Sequence, residues 1–355
     1  MISDEFRPIH SQYERHVWKK TVFSVICIIV TFVAIILSVT IGTYPISFME
    51  AYQIIIDHML GNPVDETKLH IVWNMRLPRT LMAVAVGAGL AIGGAAMQSM
   101  MRNPLADPYT TGVASGASLG ATISIILGVC LIPWLHGEAA IVVNAFFISL
   151  IPILLIIFIS KKRNTTPTMM ILAGISVMFI FSATSSLLML MADSSSLAEV
   201  YRWNVGTLGK ATWDNIPIVI AVVIVGMIVL GLMSKTLNAL SIGDKGSMSL
   251  GIDPTKTRLV CMIVIAIMTS TIVSFTGTIG FVGLVCPHVV RIFAGSDNRY
   301  LLPCSAAFGA MFLVCADSAA KIVSSTGLPV GIITALVGGP IFLILLIKMN
   351  KRVWK

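Results

Sequence analysis

Asp317 and Lys321 stand four residues apart in a stretch that is otherwise almost wholly apolar, LLPCSAAFGAMFLVCADSAAK. On a helix that spacing sets carboxylate and ammonium on one face, where they can pair. Ionisable groups in apolar surroundings are also the equipment of proton- or sodium-coupled transport, because charge there is costly and persists only for a task. Other chemistries leave weaker traces. A phosphate-cradling loop needs two glycines five apart followed by Lys and Ser or Thr; Gly246 and Gly251 have the spacing, but Ile252 stands where Lys is required. Hydrolysis of ATP by that route is excluded. No HExxH pair occurs, and His, Asp and Glu never cluster at metal-ligand spacing. His288, next to Pro287, reads as a structural histidine at a helix kink, since no second ligand accompanies it. The six cysteines occur singly, without CxxC or Cys/His spacing, and read as buried inert thiols. Ser and Thr form no pair with His or Lys. Neither a catalytic centre nor a resident cofactor or metal is expected.

A membrane must position these residues. With 56% hydrophobic and 11% charged residues and a mean hydropathy of +0.93, most of the chain faces something other than water. Repeated apolar stretches of roughly 18 to 22 residues match a helix crossing a hydrocarbon core of about 30 Å. The period-two signal of a barrel is absent. The reading is an all-α polytopic membrane protein, a single domain over residues 1–355, with spans at 19–42, 80–101, 109–131, 139–160, 168–192, 215–234, 258–273, 277–292, 301–317 and 331–348. The seventh and eighth are short and divided only by the turn at 274–277, which leaves nine or eleven spans as alternatives. The first apolar stretch follows about 18 polar residues and is too long for a signal-peptide core, so it reads as a first transmembrane helix behind a tail at 1–18.

Charge orients the spans. Of 24 Lys and Arg residues, only Lys68, Arg76, Arg79, Arg202, Lys210 and Lys321 fall in segments on the side opposite the termini; the other eighteen share the termini's side. Cytoplasmic segments are enriched in Lys and Arg, so both termini are expected in the cytoplasm. This asymmetry also accounts for the net charge of +8 without a nucleic-acid partner.

Small residues point to close packing. Ala83, Gly87, Ala91 and Ala95 recur every four residues, as do Gly112, Gly116 and Gly120. Each row lies on one helix face and lets another backbone approach. The long inner loop at 235–257, SKTLNALSIGDKGSMSLGIDPTK, sets Leu237, Leu240 and Ile242 among polar residues. It can fold as short surface helices that offer an apolar face to a soluble subunit, because a structureless loop of that length is unusual in a compact protein.

Ordered motifs narrow the reading. RLPR at 76–79, a Gly-rich helix ending in Gln98, RNPLADP at 102–108 and GVASGA at 112–117 are followed by GTIGFVGLVCPH at 277–288. Arg291, Asp297 to Arg299, Asp317, PVGIITA at 329–335 and GPIF at 339–342 complete the set. Over roughly residues 20–350 the chain resembles the permease subunits of ABC importers for iron-siderophores, haem and cobalamin. The resemblance implies about ten transmembrane helices in two inverted five-helix halves, a second permease subunit, two cytoplasmic ABC ATPase subunits that use the ATP, and an extracytoplasmic substrate-binding protein. It implies no covalent step on the substrate and a place in a prokaryotic cytoplasmic membrane.

Residue by residue, Arg76 and Arg79 match outer arginines that meet carboxylates of the binding protein, and Lys321 stands where a third docking arginine is usual, a point charge in place of a fork. Leu240, Gly243, Asp244, Leu250 and Gly251 match the segment coupled to the ATPase, although Gly246 and Ser247 fall where a better helix former is expected. Trp203, Gly206 and Trp213 match an outer segment after the fifth span, where interfacial anchoring serves equally well. Arg202 is a candidate contact for the binding protein or an anionic chelate. The translocation path is expected along Ser182, Ser185, Ser186 and Thr334. A ferric siderophore is the first expectation for cargo, with haem and cobalamin beside it; an ion-coupled carrier and a non-transporting scaffold stand outside the family.

Overall fold

The structure, a computed structural model, describes residues 7–162, 166–323 and 328–348. The ends of the expected N-terminal tail and the C-terminal cations Lys351, Arg352 and Lys355 lie outside the described residues, as does Arg163. Among the described residues ten apolar helices occur where spans were expected, six of them long enough to cross a membrane, or seven if the bent pair that begins with the sixth is one span. They are span 1 (Arg7–Thr40), span 2 (Leu77–Met101), span 3 (Val113–Leu127), span 4 (Gly137–Lys162) and span 5 (Pro167–Leu190). The second half holds span 6 (Ile216–Leu232), span 7 (Pro254–Thr276), span 8 (Val282–Ala294), span 9 (Asn298–Val323) and span 10 (Val330–Lys348). Spans 3, 8 and 10 are shorter apolar helices, and span 6 bends by 54° into Ser234–Ser241.

Two further helices, Phe48–Leu60 and Ser194–Asn204, were not foreseen, whereas Ser234–Ser241 and Asp244–Ser249 are the short helices expected in the 235–257 loop. Phe48–Leu60 begins at a capping box in which the Ser47 side chain accepts from the Glu50 amide and Glu50 reaches back, and it ends at Gly61 with φ 76°. Span 2 also departs from expectation at its outer end. The helix starts at Glu66 and passes through a π turn, His70–Arg76, before Leu77. Pro78 supplies no amide and crowds the carbonyl one turn back, and a π turn absorbs the misfit by a longer bond, Leu77 N–H to the Val72 carbonyl.

Span 2 is the centre of the molecule. In Glu66–Met101 the most apolar window is 89% buried, against 11% for span 5. Small residues make this burial possible. A Cβ placed on Gly87 would lie 2.3 Å from the Gly309 carbonyl oxygen of span 9, so the two backbones touch. In the second row a Cβ on Gly120 would lie 2.3 Å from the Asn144 carbonyl oxygen of span 4. Both four-residue rows therefore do the packing that their period foretold.

Two ends emerge. Arg102, the loop around Asp244, Asn238 and Asp297 gather at one, joined by Arg258 to Met100 and Asn238 to Asp297. Arg76, Arg79, Lys321 and Gly209 gather at the other around one cavity. The first is named the inner end and the second the outer end, after the orientation that the charge count leads one to expect. Span 2 runs from the Arg76 end to the Met101 end, whereas span 7 runs from Arg258 beside Asp244 back to Thr276 beside Thr207. The halves thus run in opposite senses. Each has a short helix after a left-handed residue, Gly112 (φ 90°) before span 3 and Phe281 (φ 69°) before span 8.

Candidate functional site

The outer end is built around one carboxylate. Asp317, with no side-chain exposure, meets Arg79 through Nε and Nη2, each 2.8 Å from Oδ1, and Lys321 through Nζ, 3.1 Å from Oδ2. Burying charge is tolerable only when it is paired, and here span 9 supplies Asp317 and Lys321 while span 2 supplies Arg79. The pair suggested by sequence spacing is made. Lys321 also donates to Ser38 Oγ at 2.9 Å and lies 7% exposed. Its ammonium is committed inward, which departs from a freely offered docking charge.

Arg76 is committed too. It is 6% exposed and donates to the carbonyls of Thr40 at 2.9 Å, Val39 at 3.2 Å and Tyr44 at 2.6 Å, closing the turn after span 1. Gly42 is needed beneath it, since a Cβ there would sit 2.6 Å from Arg76 Nη2. Arg79 keeps the most open side chain of the three, at 18% exposure. All three line an outer cavity of about 340 Å³. Beside it Trp213 Nε1 donates to the Trp73 carbonyl at 2.9 Å, and the two indoles lie 5.2 Å apart with their planes tilted by 35°. Trp203 is buried, and Gly206 (φ 72°) turns the chain there. Arg202 lines a separate outer cavity of about 490 Å³ with Glu199 and Lys210.

The inner end carries the expected coupling residues. Leu237 and Leu240 are fully buried, so the face they form anchors Ser234–Ser241 to the spans. That corrects the expectation that they face a soluble subunit. The apolar side chains left outside are Ile242 at 67%, Met248 at 58% and Leu250 at 61% exposure. Gly243, with φ 104°, breaks the first short helix from the second, and Gly251 (φ 76°) ends the second. Asp244–Ser249 is helical in spite of Gly246, and the Ser247 hydroxyl is shared between the Ala239 and Gly243 carbonyls at 2.9 and 2.7 Å, which holds it against Ser234–Ser241. Asp244 receives Arg258 in a fork, 3.0 Å from Nη1 and 2.5 Å from Nη2. The Arg258 hydrogen bonds hold the Asp244 carboxyl below the ordinary carboxylate range. Arg258, fully buried, also donates to the Met100 carbonyl at 3.1 Å and so ties the coupling segment to span 2.

Sequence reasoning counted Arg258 only as an inner cation. Its place four residues into an apolar helix was the available signal, since charge there must be paired. Asn238 was missed altogether; it links Asp297 at 2.7 Å and Asn298 at 2.8 Å.

The proposed path residues divide. Ser182 and Ser186 lie on the exposed face of span 5, with Ser186 Oγ bonded back to the Ser182 carbonyl at 2.9 Å. Ser185 is 4% exposed and Thr334 is fully buried. Thr334 donates to the Gly331 carbonyl at 3.1 Å, so its hydroxyl bonds back within its own helix and does not meet open space. His288 is buried with its ring edge-on to Phe342.

The transport family described as FecCD matches residues 29–348. The chain belongs to the FecCD transport family. This FecCD protein is 40% identical over 284 residues to the cobalamin import system permease BtuC of Halobacterium salinarum, covering 80% of this chain and 75% of that one. It is 35% identical over 285 residues to the hemin transport system permease HmuU of Yersinia pestis, covering 80% and 85%. The molybdate import system permease MolB of Haemophilus influenzae is 30% identical over 317 residues, covering 89% and 92%. Among solved structures, one described as an inward-facing metal-chelate type ABC transporter superposes with a TM-score of 0.81 at 28% identity, over 92% of this chain and 99% of that one. The FecCD chain is thus an ABC importer permease, a membrane transport component.

Proposed function

We propose that this FecCD chain carries a metal chelate, a ferric siderophore before haem or cobalamin, across a prokaryotic cytoplasmic membrane by alternating access driven by ATP in partner subunits. The observation that carries the reading is the inner clamp. Ile242, Met248 and Leu250 present an apolar surface on a segment fastened to spans 2 and 7 by Asp244 and Arg258. An ATPase subunit seated there would move the spans directly. Relatives named as probable iron chelatin transport system permeases, such as one from Helicobacter pylori at 32% identity over 292 residues, support iron as cargo.

The other partners follow from the same chain. The binding protein docks at the outer cavity, where Arg79 is the cation with exposure to spare. A second permease copy or a related chain covers span 5, whose exposed serines then border the path. Both termini lie in the cytoplasm, on the side holding most of the cations. The chain itself needs no cofactor; ATP is consumed by its ATPase partner.

The test is uptake. Liposomes holding the permease and its co-expressed ATPase should accumulate iron presented as a siderophore on the binding protein, only with ATP available to the ATPase. Accumulation of haem or cobalamin instead would reassign the cargo, and uptake driven by an ion gradient without ATP would overturn the proposal. Arg79→Glu should abolish binding-protein docking while the ATPase remains bound; undiminished docking would remove Arg79 from that role.

A further inference from the structure

The inner end holds a cavity of about 820 Å³ apart from the exposed apolar side chains of the coupling segment. It lies where span 2 ends, span 5 begins and the coupling segment turns, and it reaches Arg291 of span 8. Among the described residues its lining carries two guanidiniums and one carboxylate. Arg102 and Arg291 line it, and the carboxylate that lines it, Asp244, is already held by both Nη atoms of Arg258. The nearby Asp297 is likewise held by Arg299. Arg291 is 7% exposed, and its Nη1 is fixed 2.9 Å from the Gln98 amide oxygen, so the guanidinium is set in place before any ligand arrives. Arg102 adopts a left-handed backbone, φ 49°, that a non-glycine residue rarely takes. This conformation brings its Nη1 over Gly243, where a Cβ would sit 3.1 Å away.

Thr168 contributes a hydroxyl to the lining, and the Ser99 hydroxyl is committed to the Asn298 amide oxygen at 2.7 Å. The first turn of the 24-residue span 5 opens at Thr166 on the same wall, which adds the positive end of a helix.

We propose that this cavity binds a phosphate-class oxyanion, supplied by an anionic lipid headgroup or by free phosphate. Two guanidiniums from different spans, one buried and fixed, match the fork geometry that phosphate accepts. Basic pockets between helices at the cytoplasmic face recognise such headgroups. A bound oxyanion would bridge span 8, the end of span 2 and the coupling turn at Gly243, and so stiffen the joint through which the coupling segment acts. Binding itself does not depend on which chelate is carried.

The full-length chain, purified in detergent and delipidated, is titrated with inorganic phosphate, with chloride as control, and reconstituted into nanodiscs containing phosphatidylglycerol or only phosphatidylcholine. Thermal midpoint and retained adducts by native mass spectrometry are read for wild type, Arg102→Gln, Arg102→Lys and Arg291→Gln, each against its own ligand-free midpoint. Wild type should gain stability from phosphate or phosphatidylglycerol. Apparent affinity should fall about tenfold in Arg102→Gln and less in Arg102→Lys. A response to both probes makes the site a general oxyanion site, and a response to phosphatidylglycerol alone makes it a lipid site. Equal responses to phosphate and chloride, and to the two lipids, would overturn the proposal. So would shifts unchanged in Arg102→Gln and Arg291→Gln.

Discussion

Asp317 is a single buried carboxylate answering two cations from two helices, and its removal leaves both without a counter-charge. Breaking a buried pair in this way costs about 3–5 kcal/mol. Asp317→Asn should therefore lower the thermal midpoint strongly, and the double variant Asp317→Asn with Lys321→Met should recover part of the loss. An unchanged midpoint in Asp317→Asn would show that the cluster is not stabilising. The inner carboxylates predict a pH response. Arg258 depresses Asp244, and Arg299 pulls Asp297 down to about 2. Their folded values lie below the unfolded value of about 3.9, so their stabilisation is complete above about pH 4 and drains as pH falls through the folded values. Thermal midpoints measured through that window should drop on acidification. Asp244→Asn should lower stability near neutral pH and flatten the slope below it.

Among elements, the contact of spans 2 and 9 is the sharpest test of packing. Gly87→Ala drives a methyl to 2.3 Å from the Gly309 carbonyl oxygen and should cost about 1–3 kcal/mol in unfolding experiments. Gly231→Ala, in span 6 with nothing within 4 Å, should be neutral or gain up to about 1 kcal/mol. Equal effects would mean that glycine acts here through propensity and not through contact. The glycine rows were legible because a four-residue period fixes a face whatever the neighbour is. Span existence was legible for the same kind of reason, since length and hydropathy are local properties. What stayed hidden depends on the neighbour. Leu237 and Leu240 form an apolar face in the sequence, but only the folded chain shows that spans occupy it and leave Ile242 outside. Arg76 lies in an outer segment, yet the π turn and Gly42 direct it into the Val39, Thr40 and Tyr44 carbonyls. Thr334 carries a hydroxyl suited to a path, and the local Gly331 carbonyl claims it.

For the whole molecule, the apolar inner surface separates assembly from folding. Changing Ile242, Met248 and Leu250 together to Ser removes no buried contact, so the midpoint should shift by no more than about 0.5 kcal/mol per site. Recovery of the ATPase subunit on co-purification should fall sharply; full recovery would move the interface elsewhere. The π turn at His70–Arg76 has a further consequence. It accommodates one residue more than an α-helix would over the same bonds, so the helix outside it and span 2 beneath it are out of angular phase. An uninterrupted α-helix through the same residues would rotate Glu66–Leu69 by about 100° relative to span 2. Lys68 would turn away from Glu50, its partner on Phe48–Leu60, and the outer cap would lose its alignment while the spans below kept theirs. The turn thus behaves as a phase adjuster, setting the azimuth of the outer surface independently of the membrane core.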